Sequence, residues 1–373
     1  MNLGLFLMPS HPPERDLRAG HEWDLEVLKV ADRLGYEEAW IGEHFTSPWE
    51  PNPAPDLLIA QALTQTSRIK LAPGAHLLPY HQPAELAVRV AYMDHLAGGR
   101  YMLGIGSGGL PTDFMLFNVD AASGQQRDMV RESIDIMLKV WTSDGGDEFH
   151  SKYWKGKIST PMCGGLLQHH IKPLQKPYPP IGIAGISYKS DTLKLAGEYG
   201  FLPLSLDMDA SVLRTHWEAV EEGAARTGRH PSRSDWRIAR DVFVADSDAQ
   251  AREDCLASGM GRNWREYLLP LYQELKFVSF FKHDKSVTDE QVTIDYLLNH
   301  NWIVGSPQTV ADKLAALYRN VGGFGRLLML GADCVDNPQP WFKSMRLMAE
   351  EVMPRLANLI GHGNGAALRE ANK

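Results

Sequence analysis

Trp40-Ile41-Gly42-Glu43-His44-Phe45 closes a short apolar run on a glycine and two ionisable side chains. Taken as a strand over residues 37 to 42, the run delivers Glu43 and His44 to the loop that follows it. Similar runs recur at residues 2 to 8, 69 to 75, 101 to 106, 180 to 185, 200 to 206, 236 to 245 and 325 to 331. Between them lie longer segments of helical periodicity, including 22 to 34, 83 to 97, 126 to 141 and 307 to 320. Periodicity alone does not separate a short strand from a buried helix, but local signals do. In Gly305-Ser306-Pro307-Gln308 a serine cap precedes a proline at the first helical position, where its missing N–H costs nothing. Alternating strands and helices imply a parallel sheet, and eight strands are what a closed barrel needs. The expected fold is α/β, a single (β/α)8 TIM barrel over residues 1–360 with a flexible tail at 361–373.

The chain has 373 residues, 44% hydrophobic and 23% charged, enough to bury one large core. A net charge of −8 leaves no basic surplus for nucleic acid or an anionic membrane surface. The apolar start, Met1 to Met8, has no basic leader and stops at Pro9, so it reads as a strand and the protein as cytoplasmic. Cys163, Cys255 and Cys334 are widely spaced and suggest neither a disulfide framework nor a zinc site. His169-His170 lacks a carboxylate at useful spacing, and no metal is expected. Two stretches, 143 to 179 and 256 to 300, exceed the loops of a minimal barrel and are candidates for lids or binding loops.

Several residues stand where barrel enzymes place their chemistry, at the carboxyl ends of strands. His44 is one, and its near-neutral titration suits proton transfer; Glu43 beside it either shares that role or stabilises the barrel interior. The glycine-rich run Gly104 to Gly109 lets backbone approach a planar group or a phosphate, or simply relieves a crowded barrel turn. Ala184 to Ser190 runs into a helix whose first N–H groups attract phosphate. Phe6, Trp40 and Tyr80 lie near strand ends, as core or as an apolar substrate wall. Arg240 on an alternating strand could face inward and pair with Glu43.

The Trp40 to Phe45 segment resembles the second-strand signature of the bacterial luciferase-like flavin monooxygenases. So do Ile69-Lys70-Leu71-Ala72-Pro73-Gly74-Ala75, Gly99 to Gly109 with Asp113-Phe114, Ala184-Gly185-Ile186-Ser187, Leu195 to Gly200 and Val304-Gly305-Ser306-Pro307. These segments agree in order from residue 2 to about 350, and 143 to 179 and 256 to 300 are the parts weakly covered. The resemblance is greatest to the branch acting on limonene and diketocamphane.

That resemblance implies an FMNH2-dependent, two-component monooxygenase. A separate reductase, reached by diffusion of reduced flavin, supplies the cofactor, and one oxygen atom of O2 enters a small apolar substrate such as a terpene-type ketone, alkene or aldehyde. His44 would be catalytic, with Glu43. FMN would be held by Gly74, Ala75, His76, Gly106, Ser107, Gly108, Ala184, Gly185, Ile186, Ser187, Tyr188 and Lys189, with a cis Gly74-Ala75 bond against the ring. Phe6, Trp40, Tyr80 and Arg240 would face substrate. Ser107 replaces an arginine of the luciferases, so Lys189 or Arg127 would supply the phosphate's countercharge. A homodimer is implied, through helices carrying Ile59, Leu63 and Leu86 to Val90. Two rival readings remain: hydride transfer with the deazaflavin F420, and a flavin-binding protein without turnover.

Overall fold

In the computed structural model, residues 1–370 are described, with side chains through residue 361, so the tail expected at 361–373 falls outside the fully described residues. Eight parallel strands form the centre: β1 (Asn2–Leu7), β2 (Glu38–Ile41), β3 (Lys70–Pro73), β4 (Leu103–Gly106), β5 (Ile181–Gly185), β6 (Leu202–Ser205), β7 (Arg237–Arg240) and β8 (Arg326–Leu330). Each of the eight expected strands is present. Neighbours pair in the order β3, β2, β1, β8, β7, β6, β5, β4. The ring closes because Leu71 of β3 bridges Tyr101, and the short extension His76–Leu77 pairs with Ile105 and Gly106. The expected strand at 69 to 75 is thus broken, and the break is the cis Gly74-Ala75 peptide.

Alternation along the strands separates two apolar layers. One set of side chains, including Phe6, Trp40, Ala72, Met102, Leu204, Ala239 and Leu328, fills the barrel. The other set packs outward against the helices. At the amino-terminal end of the barrel, Glu38 is held by Arg237 at 3.0 Å, Trp40 Nε1 at 2.9 Å and Arg326 at 3.3 Å, so its buried charge is compensated.

The helices follow their sequence signals with small shifts. The first runs Leu17–Leu34 rather than from residue 22, because Asp16 caps it by accepting from Ala19 N. Ser306 caps Pro307–Asn320 as anticipated, accepting from Thr309 N. The run at 236 to 245 splits at Asp241: Arg237–Arg240 stays in the barrel, while Val242–Val244 leaves it to pair with Ile303–Gly305. Of the two insertions, 143 to 179 carries the hairpin Glu148–His150 with Lys155–Lys157. The second, 256 to 300, is largely helical and folds over the carboxyl end of the barrel.

Candidate active site

The carboxyl ends of β1 to β6 surround a cavity of about 380 Å³. Its floor is Phe6, Gly74 and Ala75; one wall is Gly106 to Gly109, and the other is Ala184, Ile186 and Ser187. The loops after β4 and β5 therefore share one cavity with His44. A second, apolar cavity of about 170 Å³ adjoins it, sharing Phe6, His44, Ile186 and Phe277, and is roofed by Trp264, Tyr272 and Phe281 of the second insertion. The 143 to 179 insertion contributes no residue to either lining.

His44 is held between two carboxylates that sequence reasoning did not pair with it. Its Nδ1 lies 3.3 Å from Asp113 Oδ2, and its Nε2 lies 3.5 Å from Glu50 Oε2. Asp113 comes from the short helix Pro111–Leu116, is fully buried, and also accepts from Thr46 Oγ1 at 2.5 Å. Burial works against a charged imidazole, but Glu50 and then Asp113 outweigh it and raise the His44 pKa above its usual value. The two carboxylates thus favour the protonated ring, which touches both cavities.

Glu43 has a different place. It accepts from His76 at 2.7 Å, His81 at 2.9 Å and the Leu77 amide at 3.2 Å. Burial alone would raise its pKa, yet the two histidines bring it down to about 2. A carboxylate so held is a fixed anion, which ties the broken third strand to the second. Nor does Glu43 pair with Arg240, whose guanidinium binds Asp207 at 2.6 Å and the Met208 and Asn301 carbonyls.

Of the expected cofactor residues, Gly74, Ala75, Gly106, Ser107, Gly108, Ala184, Ile186 and Ser187 line the large cavity. Four do not. His76 is buried between Glu43 and Asp56, and Gly185 faces Leu193. Tyr188 turns outward, 45% exposed, and Lys189 adopts φ +48 beyond the lining. Of the expected substrate residues, Phe6 lines both cavities. Trp40 is sealed beneath them in the barrel interior, Tyr80 stacks on Phe117 behind Gly108, and Arg240 is consumed by its buried partners.

A flavin mononucleotide fits what is present. Gln126 Oε1 is buried at the wall without a partner, and Ser107 Oγ makes one long bond of 3.4 Å to Gly108 O. Gly108 sits at φ +81, and a Cβ there would overlap the Tyr80 hydroxyl, so backbone can approach a ring closely. The volume lies within the roughly 300–1,000 Å³ of cofactor pockets. Ser187, Thr192 and Arg127 stand near the start of the helix Asp191–Tyr199, a setting suited to phosphate. Gln126 and Thr192 had no sequence signal beyond nearness to helix starts.

A profile of the luciferase-like monooxygenases matches residues 1–323. The chain belongs to this family. Among curated relatives, this luciferase-like monooxygenase is 33% identical to 2,5-diketocamphane 1,2-monooxygenase 1 of Pseudomonas putida, over 95% of this chain and 99% of that one. It is 29% identical to limonene 1,2-monooxygenase of Rhodococcus erythropolis, over 97% and 88%. Among solved structures, it superposes with a TM-score of 0.89 at 34% identity on the oxygenating constituent of 3,6-diketocamphane monooxygenase from Pseudomonas putida. That protein, a type II Baeyer–Villiger monooxygenase in complex with FMN, is covered over 98% of its length and 95% of this chain. Among the described residues, no helix is long and apolar enough to cross a membrane.

Proposed function

We propose that this luciferase-like monooxygenase uses FMNH2 and O2 to insert one oxygen atom into a small cyclic ketone, a Baeyer–Villiger reaction. The observation that carries the reading is the position of His44, held between Asp113 and Glu50 where the flavin-sized cavity meets the apolar one. Reduced FMN, when bound, supplies the two electrons that split O2, one atom going to substrate and the other to water. The residues do the rest. Gly74, Ala75 and Gly106 to Gly108 would receive the ring, and Ser107, Ser187, Thr192 and Arg127 would hold the phosphate. Phe6, Leu206, Phe277 and Phe281 hold the ketone in a water-poor pocket. His44 Nε2 donates a proton to oxygen developing charge at the junction, and Asp113 fixes its ring.

The cations flanking the phosphate end favour FMN over F420. Arg127 is paired with Asp191, Arg131 with Glu198, Lys194 with Glu222 and Arg226 with Glu198. Beyond Arg127 at the phosphate itself, these cations already face carboxylates of the same chain, which suits a short phosphate better than a long acidic tail. The well-held His44 likewise favours turnover over passive flavin binding. A separate reductase and a cytoplasmic setting belong to the same reading. So does a homodimer, although Ile59, Leu86 and Val90 are buried within the protomer, and the exposed apolar side chains on those helices are Leu57, Tyr92 and Leu96.

The test supplies chemically reduced FMN, 18O2 and bicyclic ketones to the purified protein. A lactone carrying one labelled oxygen is expected; flavin reoxidation with no oxygenated product would overturn the reading.

A further inference from the structure

A third cavity adjoins the apolar one and has no part in the mechanism above. It holds about 150 Å³ between the loop after β1, the loop after β8 and the start of the second insertion. Its outer rim is exposed at Ala257, Asp336 and Asn337, whereas its inner end is buried at Ser10, Cys334 and Trp341. Among the described residues, only Ser10 and Asn263 line both this outer cavity and the apolar one. Ser10 Oγ and Asn263 Oδ1 are 2.8 Å apart, the serine donating, so one hydrogen bond marks the partition.

The partition is weaker than the walls beside it. Arg15 binds Asp333 at 3.1 Å and Asp336 at 2.7 Å, and Gly259 packs so closely on Asp333 that a Cβ there would overlap its carbonyl oxygen. Asn263, by contrast, ends the helix Gly259–Asn263, and the turn that follows it is a π-turn, closed by the Leu269 N–H donating to Trp264 O. Such turns are rare and occur mostly at functional sites. A neutral hydrogen bond such as that of Ser10 with Asn263 adds little net stability, because both groups find water when it opens.

The apolar cavity also joins the flavin-sized one, at Phe6, Met8, His44, Ile186, Leu206 and Phe277. FMN seated in the larger cavity would stand across that junction. We propose that the outer cavity is the substrate's own entrance, separate from the flavin's, and that Ser10 and Asn263 are its gate. A small apolar ketone passes Trp49, Pro12 and Pro340, parts the bond between Ser10 and Asn263, and reaches the apolar cavity with flavin already in place. The gate then recloses and keeps water out. This rests on the function proposed above and adds a route to it: flavin and substrate need not bind in a fixed order.

The probe is norcamphor, a compact bicyclic ketone. Stopped-flow tryptophan fluorescence gives its association and dissociation rates with flavin-free protein and with protein saturated with oxidised FMN. Equal association rates are expected in the two forms; association slowed by bound FMN would overturn the proposal whether or not any variant folds. Ala257→Trp plugs the outer cavity at its exposed rim, in the lining of that cavity alone. It should slow association and dissociation together by about tenfold and leave Kd unchanged, the signature of a blocked path rather than an altered site. Asn263→Ala should speed both rates. Leu110→Trp, in the lining of the apolar cavity beside Gly109, is the comparison: slowing there with unchanged rates in Ala257→Trp would place the entrance at Leu110 and overturn the proposal. Norcamphor that binds through the gate but is not oxygenated with reduced FMN and O2 would overturn the proposed reaction while supporting the entrance. No binding to either form would overturn both.

Discussion

His44 Nδ1 lies 3.3 Å from Asp113 Oδ2, across 69 residues of chain, and this contact fixes the imidazole at the junction of the two cavities. His44→Ala should lower kcat by about 10²- to 10⁴-fold, the usual worth of a positioned general acid. Asp113→Asn removes a negative charge that raises the His44 pKa, so the ring should lose its proton at lower pH. A pH profile of kcat checks it: the alkaline limb should move to lower pH in Asp113→Asn, and an unmoved limb would remove His44 as the group that titrates.

Stability should fall on the alkaline side of neutrality. His11, bonded to Asp24 at 3.1 Å and Asp333 at 2.8 Å, and His76, between Glu43 and Asp56, are each raised from 6.5 to about 9. Burial opposes the charge in both, and the paired carboxylates prevail. Asp24 itself moves up, since its complete burial outweighs His11, whereas Asp333, also held by Arg15, moves down. A folded-state pKa above the unfolded value stabilises fully below about 6.5, and the contribution is lost as pH rises through about 9. Each histidine contributes at most about 3 kcal/mol. Melting temperature measured from pH 6 to 9.5 should decline over that window, and His11→Gln should flatten the decline.

Gly108→Ala should weaken FMN binding and cost about 1–3 kcal/mol of stability, because φ is +81 and the new Cβ meets the Tyr80 hydroxyl. Gly109→Ala is the control, with nothing within 4 Å of its Cβ. Thermal melts and FMN titration of the two variants should separate them; equal behaviour would mean that close backbone approach at residue 108 is unimportant.

Glu38→Ala should destabilise the barrel by about 3–5 kcal/mol, since it leaves Arg237, 3% exposed, without its partner. Urea unfolding measures the loss. Glu38→Ala combined with Arg237→Leu should recover part of it, because the remaining partner, Arg326, is partly exposed and still donates to the Ser234 carbonyl.

The strands of the barrel were legible because each is a short apolar run between a turn and a periodic helix, and this pattern is local. The break at Gly74-Ala75 and the departure of the chain at Asp241 were not legible as interruptions, since both lie inside runs whose hydrophobicity continues. In the site, the residues found from sequence are those on strand-end glycine and serine loops, such as Ser107 and Ser187. The carboxylates that hold His44 were not paired with it because Glu50 reaches back through a loop without regular periodicity and Asp113 lies 69 residues away. Trp40 and Tyr80 misled for the converse reason: an aromatic ring at a strand end fills the interior or backs a glycine loop as readily as it faces a ligand.

The second insertion is tied to the proton chemistry by a single hydroxyl. Tyr267 donates to Glu50 Oε2 at 2.8 Å and accepts from Ser47 Oγ at 2.9 Å, and the same Glu50 oxygen faces His44 Nε2. Any outward swing of the roof helix must therefore break that bond. One phenol thus joins the roof over the apolar cavity to the carboxylate beside the imidazole.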